Sequence, residues 1–264
     1  ELEEIESGDQ AYPATCGFLT LLAELIRWGA PPEEAGIQKT PAGIQNIEPC
    51  LDFVWRDVFL NHTNRSYKNV GHKWEVAANC LAVFYRILVS YEISNDKELS
   101  DVQRSSNAFV SLGCSLMSIL LQQGAHPLLK KILQLVNTDG GVDGLQFEFQ
   151  NIDSSRSTGQ GVNHGDPITQ TDAMWRERAI TLALSVIRVL LEKEEEFMYR
   201  YGKRGDAITL LSEVLLSSTA QLQGLARYVE YNRNTQINSN AVRIMQHIAH
   251  VTKNSILTIL PHKG

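Results

Sequence analysis

The sequence predicts an all-α fold: a solenoid of stacked, HEAT/armadillo-like helix pairs with one long Gly/Ser-rich loop. Three observations predict it. Apolar residues recur at helical spacing nearly everywhere, and no convincing strand interrupts them. The helices led by Trp74 and Trp175 are apolar over most of their circumference, so each must be covered on more than one side. Stacked helix pairs provide such cover, and so does a closed bundle with these two helices at its centre. Hydrophobic residues make up 43% and charged residues 20% of the 264 positions, the balance of a chain that buries a core. A single segment over 1–264 is expected, helical over about 1–137 and 168–264 with a loop at 138–167.

The elements follow in order. Phe18, Leu21, Leu22, Leu25 and Trp28 are spaced as one helical face. Pro13 fits the first turn of that helix, where its missing N–H costs nothing. Pro49 and Pro127 open two more helices in the same way, the first continuing through Phe53–Leu60 and the second running to Val136. Gly124 is a natural stop before Pro127. Ser100-Asp-Val-Gln103 has capping-box spacing and predicts a helix through Leu121.

The Trp74 helix carries Trp74, Ala77, Leu81, Phe84 and Leu88 on one side and Val76, Cys80, Val83 and Ile87 on another. The Trp175 helix, about Asp172–Glu192, repeats that design with Ala179, Leu182 and Val186 opposite Ile180, Leu184 and Ile187. Later helices are expected over about Asp206–Leu216 and Asn238–His250, with a short one near Ile256–Leu260. Thr138–Pro167 is rich in Gly, Ser, Asp and Asn, which predicts a mobile or docking loop. Leu145-Gln-Phe147-Glu-Phe149-Gln within it alternates apolar and polar, as a short strand or an extended strip would.

Charge and chemistry exclude several classes. Lys plus Arg number 24 against 30 Asp plus Glu, a net charge of −6, so the basic stripe of a nucleic-acid binder is missing. No apolar run reaches the ~18 residues of a membrane span. The sequence starts without Met or a signal peptide and has the look of a piece of a longer chain. Cys16, Cys50, Cys80 and Cys114 lie far apart in apolar stretches with no C-x-x-C, which predicts buried, reduced thiols rather than a zinc site. Asn61-His-Thr63 and Asn64-Arg-Ser66 match the glycosylation pattern by chance, since no secretory signal accompanies them.

His247 and His250 share a helix face but lack further ligands nearby. His62 and His72 flank a basic turn with Arg65, Lys68 and Lys73, expected to be solvated. Gly159-Gln-Gly161 lacks the strand and Lys of a phosphate loop, and no Gly-x-Ser-x-Gly elbow occurs. Glu192-Lys-Glu-Glu-Glu196 sits at a solvated helix end, and His164 with Asp166 lies in the loop, where no rigid shell would support catalysis. No catalytic, cofactor-binding or metal-ligating residue is therefore assigned. The expectation is a protein that is not an enzyme and carries no cofactor.

Tyr12-Pro13-Ala14-Thr15 followed by Phe18-Leu19 and Leu21-Leu22 forms one block of words. Asp57-Val58-Phe59-Leu60, Arg65-Ser66-Tyr67, Lys73-Trp74-Glu75-Val76-Ala77, Val83-Phe84-Tyr85 and Tyr91-Glu92 form another. In order and spacing, the stretch from Glu6 to Glu92 resembles the largest inner-ring scaffold nucleoporins of the nuclear pore complex, a family of giant α-helical solenoids. A smaller sister scaffold shares the Tyr-Pro-x-Thr type of motif; the Lys-Trp-Glu-Val-Ala block favours the larger one. The resemblance implies a fragment of a non-catalytic scaffold in the nuclear envelope. Its partners would be other inner-ring and linker nucleoporins, bound through short peptide segments in support of nucleocytoplasmic transport. No nucleic acid and no membrane span are implied, and the partner-binding residues stay unknown. Two readings compete with it. A soluble HEAT-repeat transport receptor of the karyopherin type would show regular repeats of roughly 40 residues. A helical enzyme would show a deep pocket with convergent polar groups.

Overall fold

A computed structural model of the chain describes residues 8–29, 47–65, 67, 69–90, 108–121, 127–158, 170–201 and 209–259. Among these residues there are helices and no strand. Helix α1 spans Gly8–Gly29, and α2 spans Ile47–Asp52, continuing as a π-helical stretch over Phe53–Phe59. Then come α3 (Val70–Ser90), α4 (Ala108–Leu121), α5 (Pro127–Asn137) and α6 (Gly141–Thr158). The chain goes on through α7 (Gln170–Tyr201), α8 (Leu211–Leu216), α9 (Thr219–Arg227) and α10 (Thr235–Ile259).

Four long helices form a row: α1 packs on α3, α3 on α7 and α7 on α10. Beside it, α4 rests on α3, α5 and α6 rest on α7, and α9 bridges α5 and α10. One hydrophobic cluster runs through the row from Cys16 to Ile248. The central pair are α3 and α7, as their two-sided apolar patterns require. Trp74, Ala77, Leu81, Phe84, Val76, Cys80, Val83 and Ile87 are all buried, and so are Ala179, Val186, Ile180, Leu184 and Ile187. Their N-terminal ends touch closely: a Cβ on Gly71 would stand 1.9 Å from Asp172 Oδ1, so a larger residue there would have to displace the Asp172 side chain.

Several expectations are corrected. Pro13 is not in the first turn of α1, which begins at Gly8; it lies further in and removes one helical hydrogen bond on an exposed side. The buried face of α1 is Cys16, Leu19, Leu22, Ala23 and Ile26, whereas Phe18, Leu21 and Leu25 face outward. Both stripes have helical spacing, so periodicity alone could not choose between them. The side chain of Trp28 and the Ser100–Gln103 capping box lie outside the described residues. Trp175 is half-buried, because its neighbour Arg176 takes the interior position while Arg178 lies over the indole ring.

The largest correction concerns 138–158. The predicted loop turns through Thr138–Gly140 and becomes helix α6, and the Leu145–Gln150 hexad is helical instead of extended. The two glycines supply the corner, with φ of 83° at Gly140 and 59° at Gly141. Tertiary partners hold the helix. Arg176, 1% exposed, donates to Glu148 and also to the carbonyl of Thr138 at 3.0 Å. Val142, Leu145 and Phe149 are buried, Arg233 lies over the Phe149 ring, and Tyr228 Oη donates to the Val136 carbonyl at 2.5 Å. Residues 159–167 of the expected loop lie outside the described residues, with Gly159-Gln-Gly161, His164 and Asp166 among them.

The C-terminal part is more continuous than its sequence suggests. Helix α7 runs on past Glu192 to Tyr201, since no glycine or proline stops it. α10 is one helix where two were expected; Asn234 Oδ1 accepts the N–H groups of Gln236 and Ile237 and sets its start. Helix α8 is described from Leu211, not from Asp206. α9 escaped detection because Gly224 and its polar residues hide the pattern. That glycine lets α9 approach α5: a Cβ there would meet Asn137 Oδ1 at 2.2 Å.

Candidate functional site

The sites weighed in the sequence fall apart as catalytic centres. His247 is half-buried and His250 exposed on α10, and among the described residues no group of three His, Cys, Asp or Glu could hold a metal ion. The four cysteines form no disulfide; Cys16 and Cys80 are buried, while Cys50 and Cys114 are only half-buried. Burial and the nearby Glu75 carboxylate push the Cys16 thiol up to about 11, which leaves it unreactive. Among the described residues no helix is long and apolar enough to cross a membrane.

The acidic run 192–196 lies within α7 and not at a solvated end. Glu192 pairs with Arg188 one turn back at 2.8 Å. Glu194 is fully buried and accepts the backbone N–H groups of Leu211 at 2.5 Å and Ser212 at 3.2 Å. It therefore caps α8 from a distant helix, and burial raises its carboxyl to about 7 against the pull of those donors. The sequence concealed this role because a cap normally comes from the residue just before the helix. His62 is a second surprise. The turn expected to be solvated buries it to 1% exposure, with its Nδ1–H given to the Phe59 carbonyl at 2.6 Å. Burial holds its pKa down at about 4, helped by the charges of Lys131, Lys73 and Arg65.

Two surface features stand out among the described residues. Between α5 and α9 lies a crevice of 380 Å³ lined by Leu133, Gln134, Asn137, Thr138 and Gln221. Gln221 Oε1 is buried there without a hydrogen-bond partner. The lining has no ionisable group, so it offers hydrogen bonds and no acid–base chemistry. The other surface is the outward stripe of α1. Phe18 is 37% exposed, Leu21 60% and Leu25 54%, and Phe53 at 43% meets Phe18 edge-on at 6.0 Å. Covering these half-exposed side chains would contribute about 1 kcal/mol each. Their i, i+3, i+7 spacing matches an amphipathic helix laid alongside.

The words that carried the family resemblance meet in space. Tyr12 of the Tyr-Pro-Ala-Thr block donates its hydroxyl to Glu75 of Lys-Trp-Glu-Val-Ala and stacks on His72 at 4.0 Å. Phe59 of Asp-Val-Phe-Leu packs edge-on against Phe84 of Val-Phe-Tyr at 5.6 Å. Their order along the chain thus encodes how α1, the π-helical stretch and α3 fasten together.

Comparison with known proteins agrees. The family model described as nuclear pore complex scaffold, nucleoporins 186/192/205, matches residues 1–261. Human nuclear pore complex protein Nup205 is 28% identical over 258 residues, 96% of this chain and 11% of the relative. The Drosophila melanogaster Nup205 is 37% identical over 94 residues, 36% of this chain and 4% of the relative. Arabidopsis thaliana NUP205 is 24% identical over 248 residues, covering 93% and 11%. The chain thus spans about a tenth of the length of the human and plant relatives.

Proposed function

The chain belongs to the nuclear pore complex scaffold family of nucleoporins 186/192/205, and we propose that it works in the inner ring as a non-catalytic solenoid segment that holds linker nucleoporins. The family places it at the nuclear pore in the nuclear envelope, and it is a scaffold family rather than an enzyme family. In this reading residues 1–264 act as one segment of a longer superhelix that supports nucleocytoplasmic transport. The transport-receptor alternative draws no support from the family match.

The observation that carries the reading is the apolar row Phe18–Leu21–Leu25 with Phe53 beside it. Its occupant is an amphipathic helical segment of a linker nucleoporin, seated through apolar anchors three, four and seven residues apart. Each such contact is modest, and tethering many of them in one assembly raises their effective concentration. The test uses purified linker-nucleoporin segments and isothermal titration calorimetry. Leu21→Glu with Leu25→Glu should weaken binding at least roughly tenfold, about 1.4 kcal/mol, while the melting temperature holds. Unchanged affinity in a folded double variant would sink the assignment of this face. Deletion of 138–167 is an unsuitable control, because it would remove α6 and take Glu148 from Arg176.

A further inference from the structure

Arg65, Lys73 and Lys131 gather beside buried His62, from the turn after the π-helical stretch and from the starts of α3 and α5. All three are partly buried. None has a carboxylate partner among the described residues: Arg65 donates to the Asp57 backbone carbonyl at 2.9 Å, and Lys131 Nζ to the Thr63 hydroxyl at 2.6 Å. Lys73 lies near the Trp74 ring, with its ammonium 5.6 Å from the centroid. Lys131 feels the like charge of Lys73, which adds to burial in lowering its pKa.

Lys73 is the fourth residue of α3 and Lys131 the fifth of α5; neither first turn has an acid of its own, and the Asp172 carboxylate lies at Gly71, at the start of α3. Three cations thus share one region of a chain whose net charge is −6. Lys73 and Lys131 repel each other, and an anion bound between them relieves that repulsion.

We propose that Arg65, Lys73 and Lys131, with the Thr63 hydroxyl, form a docking site for a phosphorylated serine or threonine on a partner polypeptide. A phosphate carries close to two charges and three acceptor oxygens, which matches three neighbouring cations better than a carboxylate does. The cluster is compact, unlike the extended track that a nucleic-acid backbone requires. It lies on residues other than the α1 row and stands independently of the reading proposed for that row.

The test is lysine ammonium NMR on the 264-residue chain at constant ionic strength, with inorganic phosphate and then a Gly-Ser peptide bearing one phosphoserine. Both should shift the Lys73 and Lys131 signals saturably and leave exposed Lys130 nearly unmoved. The phosphopeptide should bind roughly tenfold more tightly than the same peptide with Asp in place of phosphoserine. Lys73→Gln with Lys131→Gln should abolish saturation without lowering the melting temperature, since it removes repulsion. Arg65→Gln should weaken binding on its own and keeps the test open should the double variant misfold. Linear, unsaturable shifts, or saturation that survives in the folded double variant, would overturn the proposal. So would phosphate binding that excludes the phosphopeptide, or saturation seen only with phosphoinositide vesicles, which would assign the site to a membrane.

Discussion

The two ends of the helix row differ. At one end α1 turns Phe18, Leu21 and Leu25 outward. At the other, the outward stripe of α10 is Gln236, Ser239, Arg243, Gln246 and His250, all polar. Both helices bury an opposite apolar face against the row: Leu19, Leu22 and Ile26 in α1, Ile237, Ala241, Ile244 and Ile248 in α10. The difference therefore does not arise from core packing, which both satisfy. An outward polar stripe is the ordinary surface of an amphipathic helix, whereas an outward apolar stripe is what the partner helix proposed above would cover. Between them, α3 and α7 bury apolar residues on both sides along their middle turns.

The comparison can be broken by substitution. Phe84→Ala in the covered middle turns of α3 should cost roughly 3–5 kcal/mol, while Leu21→Ala on the open stripe should fall within about 0.5 kcal/mol of the parent. Urea denaturation measures both, and a large loss at Leu21 would mean that the stripe is already packed. Trp74→Ala should lie in the upper range, and half-buried Trp175→Ala clearly below it. Equal losses at the two tryptophans would contradict the burial of α7 described above.

Arg176 sharpens the comparison at the middle of the row. Arg176→Met leaves Glu148 without its buried partner and should cost about 3 kcal/mol. Adding Glu148→Leu should restore at least half of that in a thermal melt. Limited proteolysis provides the companion readout: first cuts should spare α6 in the parent and enter it in Arg176→Met.

The effects of pH have opposite signs in two regions. His62, on the α1–α3 side, has its folded pKa pushed below the usual 6.5 to about 4. The unfolded chain then binds more protons there, so its contribution is lost as pH falls from about 6.5 towards 4. Glu194, beneath α8, has its folded pKa raised from 4.5 to about 7. Here the folded chain binds more protons, so its contribution is present at low pH and declines as pH rises from 4.5 to about 7. Melting temperatures across pH 4–8 for His62→Gln and Glu194→Gln should each lose one of these slopes. A variant whose slope matches the parent would show that its residue does not titrate as described.

The all-α class, the two central helices and the words that fasten α1 to α3 were legible in the sequence. Each of these is written locally: helical spacing over a few turns, an apolar circumference, or a run of neighbouring residues such as Lys73-Trp74-Glu75-Val76-Ala77. The basic cluster proposed to dock a phosphate was half legible. Arg65 and Lys73 stood out as a basic turn, but Lys131 joins them from a helix start 58 positions beyond Lys73. The crevice between α5 and α9 left no sequence signal, since α9 itself was hidden by Gly224 and its polar residues.

The sequence by itself determined that this chain is helical and that α3 and α7 lie inside it, because a helix apolar on two sides has no stable place in water. Tertiary structure alone decided which stripe of α1 is buried, since Leu19-Leu22-Ile26 and Phe18-Leu21-Leu25 are equally periodic and only α3 distinguishes them. It also decided that the polar segment after Gly140 is a helix. Propensity there is weak, and order comes from Arg176, Tyr228 and Arg233, which lie 28 to 92 residues away from their partners in sequence. It buried His62 and Glu194 in the same way, by placing distant backbone and charge around groups that a local pattern assigns to solvent. Local patterns fix which backbone forms, because helical hydrogen bonds span four residues; which face and which charge go inside depends on neighbours that only the folded chain brings together.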